Sequence, residues 1–190
     1  MAVYTKINKK DISYINKKFE IEKILSFKGI KQGIENTNYL LRSKNKKFIL
    51  TIFEKRVSQN EIPFFMKKLM DQLNNSKINC PKPQKNINGN YLVRIRKKSA
   101  CIVSFLEGKD KKLLNLKNCY EIGKMIAGMH LSTKKINLSR KNSMGIIYLN
   151  PLLKSIRFKS KKFTNIEKFL KINFKDIKMK WPKKLPSGII

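Results

Sequence analysis

The sequence predicts an α+β fold in which an antiparallel β lobe carrying one packed helix is followed by a mainly helical lobe. Three observations predict it: short apolar runs separated by turn residues before residue 110, one helical stripe among them, and helical periodicity with no comparable strand pair afterwards. A chain of 190 residues with 41% hydrophobic residues can bury one sizeable core or two small lobes, so it is globular and not a disordered tail.

The strands come first. An apolar-alternating segment ends at Leu25 and Phe27, a loop follows, and Tyr39-Leu40-Leu41, the polar turn Ser43-Lys44-Asn45-Lys46-Lys47 and Phe48-Ile49-Leu50-Thr51-Ile52-Phe53 complete a three-strand meander. From Asn60, Ile62, Phe65, Met66, Leu69 and Leu73 recur at helical spacing, with Pro63 tolerated in the first turn, so one helical face should lie against the sheet. Asn88-Gly89 supplies the positive φ of a tight hairpin turn, and in the next strand Tyr91, Val93 and Ile95 alternate with Arg94 and Arg96. The run from Ala100 to Leu106 is nearly all apolar, which predicts a strand buried on both faces. Glu107-Gly108-Lys109 marks the expected boundary, dividing the chain into 1–107 and 108–190. Beyond it, Ile122, Met125, Ile126 and Met129 repeat at helical spacing, and a polar loop is expected from Ser139 to Met144. The chain closes on Leu185-Pro186-Ser187-Gly188-Ile189-Ile190, a strand-like pair after a turn, where domain termini are usually polar and frayed.

Lys and Arg number 44 against 12 Asp and Glu, a net charge of +32, which by itself suggests a polyanionic partner. Yet only Arg42, Arg56, Arg94, Arg96, Arg140 and Arg157 are arginine, whereas phosphate and base-edge recognition favours the guanidinium. Lysine, travelling with abundant Asn, Ile and Phe, reads first as compositional bias, and no specific nucleic acid is expected. Cys80, Cys101 and Cys119 are odd in number and widely spaced, which supports neither a disulfide framework nor a zinc site and fits a reducing cytoplasm. No sustained apolar leader and no membrane-length apolar stretch is present, so neither export nor a membrane partner is expected. Nothing in the sequence sets an oligomeric state.

A glycine-bearing loop between the first two strands, one helix after the third, a hinge after the fifth and then helices is the order of the protein-kinase-like fold. The wording goes further. MAVYTK, SFKGIKQGIENTNYLL, FILTIFEKRV, IPFFMKKLM, VSFLEGK and Met129-His130-Leu131 together resemble the bacterial homoserine-kinase branch of the aminoglycoside-phosphotransferase-like small-molecule kinases, across essentially the whole chain. The resemblance implies phosphorylation of the L-homoserine side-chain hydroxyl with ATP and Mg²⁺, on the route to threonine. It also implies an H-x-D-x-x-x-x-N catalytic loop and a second metal-binding Asp, which the family carries after the equivalent of Ile190. No catalytic or metal-ligating residue is therefore expected before that point, and the chain is expected to be a C-terminally truncated, catalytically incomplete kinase.

Under that resemblance Gly29 and Gly33 let backbone amides approach the phosphates, with Asn36 or Asn38 adding a side-chain donor; read from the residues alone they make a hairpin loop. Thr51 stands where kinase-like lobes place a strand lysine, so Lys55 or Arg56 is expected to take over, with Glu61 as helix partner; Glu61 equally suits the first turn of a helix through the dipole. Main-chain groups of Ser104, Phe105 and Leu106 are the candidates for the adenine edge. His130, Trp181 and the methionines read as packing residues. Two alternatives stay open: a related kinase acting on choline, a sugar or an aminoglycoside, and a basic protein binding RNA or an anionic surface.

Overall fold

The computed structural model describes residues 3–54, 61–138, 145–155 and 164–182. Lys55, Arg56, the loop expected at 139–144 and the closing stretch at 185–190 lie outside them.

A helix that the strand pattern did not predict comes first. α1 (Lys9–Lys18) starts on an Asn8 cap whose Oδ1 accepts from the amides of Lys10 and Asp11, while Asp11 returns a carboxylate oxygen to the Asn8 amide at 2.8 Å. This reciprocal pair satisfies donors that a helix start leaves open. Ile12 and Ile15 of α1 are buried, and with Phe19 they keep a helical i, i+3, i+7 spacing in an otherwise polar segment.

β1 (Ser26–Gly29), β2 (Thr37–Arg42), β3 (Lys47–Ile52), β4 (Val93–Ile95) and β5 (Lys98–Ser104) form an antiparallel sheet in the order β1-β2-β3-β5-β4. The predicted meander is present, with Ser43 to Lys46 turning the β2–β3 hairpin through a 2.9 Å bond from the Ser43 amide to the Lys46 carbonyl. The second hairpin is placed differently from the expectation. Gly89 does turn at φ +75°, but it closes a loop on Asn86, and the paired strands β4 and β5 join instead through Arg96 and Lys97, both left-handed at φ +50° and +64°. Two consecutive left-handed residues suit the twist of a two-residue hairpin, although side chains other than Gly, Asn and Asp adopt them at a cost. Arg96 is held there by its ion pair with Asp11 of α1 at 2.9 Å.

The register divides the sheet into two faces. Tyr39, Leu50 and Ile102 stand in one row, beside Ile52 and Ala100, and they close the main core with Ile7, Ile12, Ile15, Phe19 and Ile24 from the N-terminal segment and α1. Cys101 points to the opposite face, where it packs with Ile62, Met66 and Tyr91. β5 is therefore buried on both sides through Ala100, Cys101 and Ile102, as its apolar run predicts. The predicted helix is present but is not uniform: α2 (Ile62–Phe65) passes through a π turn (Met66–Met70) into α3 (Asp71–Asn75). Its buried positions Ile62, Met66 and Leu73 are those the periodicity marked.

A coil of residues 105–115 leads to α4 (Leu116–Thr133), capped by the reciprocal Asn115 and Asn118 pair. Its apolar positions Ile122, Met125 and Ile126 are exposed, as is Trp181, so these do not act as packing residues among the described ones. The chain divides into two compact units, 1–138 and 139–188. In the second, α5 (Ile146–Ser155) contains Pro151, and α6 (Thr164–Lys180) carries the i,i+4 ion pairs Glu167–Lys171 and Asp176–Lys180.

Leu50→Ala removes a fully buried side chain from the sheet's centre and should cost about 2–5 kcal/mol. Ile122→Ala on the exposed face of α4 should stay within about 0.5 kcal/mol. Urea midpoints of the two variants check the contrast, and equal losses would contradict the assignment of the core.

Candidate functional site

The face opposite α1 is only partly covered. Leu40, Ile49 and Val103 lie in one row across β2, β3 and β5, all half-buried, and Asn38, Thr51 and Cys101 form the next row. Val103 and Cys101 pack with the helical cluster, while Leu40, Ile49, Asn38 and Thr51 are absent from that cluster. The result is an apolar strip flanked at one end by the β1–β2 loop and at the other by the end of β5. Such a strip suits a flat apolar ring, with polar groups only at its two ends.

The two glycines of the loop have different reasons to be glycine. Gly29 lies within β1 opposite Tyr39, and a Cβ there would come 3.0 Å from Val3 Cγ2, so its bareness accommodates the N-terminal segment. Gly33 turns at φ +96° in open space, where a side chain would be strained by the backbone alone. Asn36 accepts the Glu54 amide through Oδ1 at 3.2 Å, and Asn38 Oδ1 accepts the Thr51 hydroxyl at 2.8 Å. Both carboxamide oxygens are thus committed within the lobe, which leaves the NH₂ groups as their donors toward a ligand. Thr51, at the position of the expected strand lysine, carries no charge into the strip.

The remaining expected residues are dispersed. Glu61 precedes α2 and accepts the Phe65 amide through its main-chain carbonyl at 3.0 Å, so the first turn itself holds no acidic residue. At the end of β5 the Ser104 amide donates to the Lys82 carbonyl at 2.9 Å and the Phe105 amide to the Lys47 carbonyl at 3.2 Å. Those two donors are taken, so of the three main-chain amides the Leu106 amide is the one left by these bonds. Lys47 also pairs with Glu107 at 2.6 Å, bracing the start of the coil. His130 is exposed on α4, and burial pushes the Cys101 thiol up to about 12, which keeps it a protonated packing group.

One cluster escaped the sequence reading. Glu54, two residues past β3, accepts hydrogen bonds from Thr5 Oγ1 at 2.7 Å and Thr37 Oγ1 at 2.8 Å, and its other oxygen pairs with Lys98. Lys98 also donates to Thr5 Oγ1 at 2.7 Å. Burial alone would raise the Glu54 carboxyl, but the bonds from Lys98, Thr5 and Thr37 outweigh it and hold the group below the usual carboxylate range. The four residues are far apart in sequence and share no motif, so no local signal announces them. Among the described residues, no three His, Cys, Asp or Glu side chains converge to hold a metal.

The family model described as the phosphotransferase enzyme family matches residues 26–153. The chain is 33% identical, over its whole length and 59% of the relative's, to a homoserine kinase of Parvibaculum lavamentivorans. It is 35% identical, over its whole length and 58% of the relative's, to one of Paramagnetospirillum magneticum. It thus spans well under two thirds of the length of these curated relatives. Among solved structures, an amicoumacin kinase in complex with AMP-PNP and Ca²⁺ superposes on 97% of the chain and 57% of its own, with a TM-score of 0.71 at 13% identity. A spectinomycin phosphotransferase in complex with ADP and spectinomycin covers 92% of the chain and 56% of its own, with a TM-score of 0.58 at 14% identity. These likenesses establish the fold as the protein-kinase-like one that the order of elements suggested.

A carboxylate held below its unfolded pKa stabilises the folded chain above that unfolded value, and the stabilisation is lost as pH falls through the folded pKa. Glu54→Gln should therefore lower stability at neutral pH by about 1–2 kcal/mol. It should also flatten the loss of stability on acidification below the ordinary carboxylate range. Urea midpoints measured across that range would show it, and an unchanged slope would remove Glu54 from the acid response.

Proposed function

The chain belongs to the phosphotransferase enzyme family, and on that footing we propose that it forms the nucleotide-binding lobe and the first helices of a homoserine kinase. The reaction moves the γ-phosphoryl of ATP onto the side-chain hydroxyl of L-homoserine, giving O-phospho-L-homoserine and ADP. The observation that carries the reading is the whole-length identity of 33–35% to homoserine kinases.

In this reading the strip of Leu40, Ile49 and Val103 receives the adenine, with the Leu106 amide at its edge. The loop turned by Gly33 covers the phosphates, and Asn36 and Asn38 present their NH₂ groups beside it. Gly29 serves the loop through its packing against Val3. Lys55, in place of a strand lysine, pairs with phosphate oxygens, and residues 1–107 act as the nucleotide lobe. Mg²⁺ supplies charge neutralisation on the phosphates in such kinases. Among the described residues no acidic set converges to hold it. Acceptor orientation and in-line attack need the H-x-D-x-x-x-x-N loop, and the sole histidine of these 190 residues, His130, is followed by Leu131 and Ser132.

Titration with ATP should therefore give saturable binding by the 190-residue chain, with no phosphate transferred to L-homoserine. Lys55→Met should weaken ATP binding by about tenfold, the scale of one charge-assisted bond. No ATP binding would remove the nucleotide-lobe reading, transfer by this chain alone would overturn its catalytic incompleteness, and unchanged affinity in Lys55→Met would take Lys55 out of the site.

A further inference from the structure

The N-terminal segment at residues 3–7 runs along the β1–β2 hairpin and meets it at Gly29, Ile34, Thr37 and Tyr39. Val3 fills the space left by the missing Cβ of Gly29. Tyr4 Oη donates to the Ile34 carbonyl at 3.0 Å, within the loop itself. The amides of Tyr4 and Thr5 both donate to Thr37 Oγ1, at 3.0 and 3.1 Å, and Thr37 is the first residue after the loop. Ile7 donates its amide to Tyr39 Oη at 3.2 Å, and that hydroxyl donates to the Thr5 carbonyl at 2.9 Å. The far end of this arrangement is anchored on Glu54 and Lys98.

Thr37 Oγ1 accepts two amides and donates to Glu54, so a fully buried hydroxyl has every bond it can make. The loop is tied to the lobe at its two ends as well, where Asn36 Oδ1 accepts the Glu54 amide at 3.2 Å. At its start the Ile30 amide donates to the Asn38 carbonyl at 2.9 Å, and Gly33 at φ +96° makes the backbone beyond it permissive. With Gly33 permissive at its centre, the tip of the loop takes its place from the contact that Tyr4 makes with Ile34.

We propose that residues 3–7 are a positioning strap for the glycine loop: Tyr4 at its tip and Thr5 on the Thr37–Glu54 hub hold the loop amides in place, so nucleotide affinity depends on residues that touch no nucleotide. The affinity half of this proposal rests on the nucleotide reading above; the ordering of the loop does not. Tyr4 is a positioning residue in this scheme, and its hydroxyl is the group to remove, because Tyr4 is largely exposed and Tyr4→Phe leaves the core untouched.

The test is hydrogen–deuterium exchange at residues 30–36 in the 190-residue chain, read beside ATP titration and thermal melting. Tyr4→Phe should speed exchange in the loop and raise the ATP dissociation constant about three- to tenfold, the scale of one hydrogen bond. Its melting temperature should stay within about 3 °C of the parent chain. Thr37→Ser, which keeps the hydroxyl, should show parental exchange at these residues, while Thr37→Val should not. Unchanged loop exchange in Tyr4→Phe overturns the strap whether or not ATP binds. Faster exchange with unchanged ATP affinity overturns the link to nucleotide. Faster exchange in a chain that binds no ATP supports the ordering and sinks the function proposed above.

Discussion

Glu54 is the point at which four separate parts of the chain become one lobe. Its carboxylate takes hydroxyl bonds from Thr5 before α1 and from Thr37 at the start of β2, and an ammonium from Lys98 at the start of β5. A partly buried charge is costly unless every lone pair is met, and here the partners come from both sides of the glycine loop and from the neighbouring strand. Satisfying the charge therefore requires the N-terminal segment, the loop and β5 to be in register at once. Polar satisfaction specifies the arrangement as much as it stabilises it.

The unequal cover of the two sheet faces follows from what packs on each. α1 and the N-terminal segment close one face completely, with Ile15, Leu41, Leu50, Ile52 and Ile102 excluded from solvent. On the other, Ile62, Met66 and Tyr91 gather around Cys101, leaving Leu40 and Ile49 half-buried. A sheet closed on one side and half open on the other has a rigid floor for a ligand without requiring any strand to move. The nucleotide site we propose uses that half-open side, and Thr37 and Glu54 meet near the opposite one, beside Ile52.

The strands were legible because each carries its own period. Tyr39 to Leu41, Phe48 to Phe53 and Ala100 to Leu106 announce themselves through alternation or a continuous apolar run, and Ile62, Met66 and Leu73 through helical spacing. α1 carries two signals that a search for strands does not weigh, the row Ile12, Ile15 and Phe19 at helical spacing and the Asn8 and Asp11 capping pair. The Arg96–Lys97 turn carries none of the usual turn residues; Asp11 across the lobe pairs with Arg96, and Arg94 donates to the Lys97 carbonyl at 3.0 Å. Within the site, the glycines were visible and their separate causes were not: Gly33 is required by its own backbone angle, Gly29 by a valine twenty-six residues earlier.

The sequence by itself determined the class of the fold, the order of most of its elements and the family, because these are written in local periods and in ordered short motifs that survive without knowledge of contacts. Only the tertiary structure decided which groups are free to act. That the Ser104 and Phe105 amides are taken by Lys82 and Lys47, that Asn36 and Asn38 spend their oxygens inside the lobe, and that Glu54 draws Thr5, Thr37 and Lys98 together are all matters of long-range hydrogen bonding. A residue's type states which bonds it can make, and the fold determines which of them are already made.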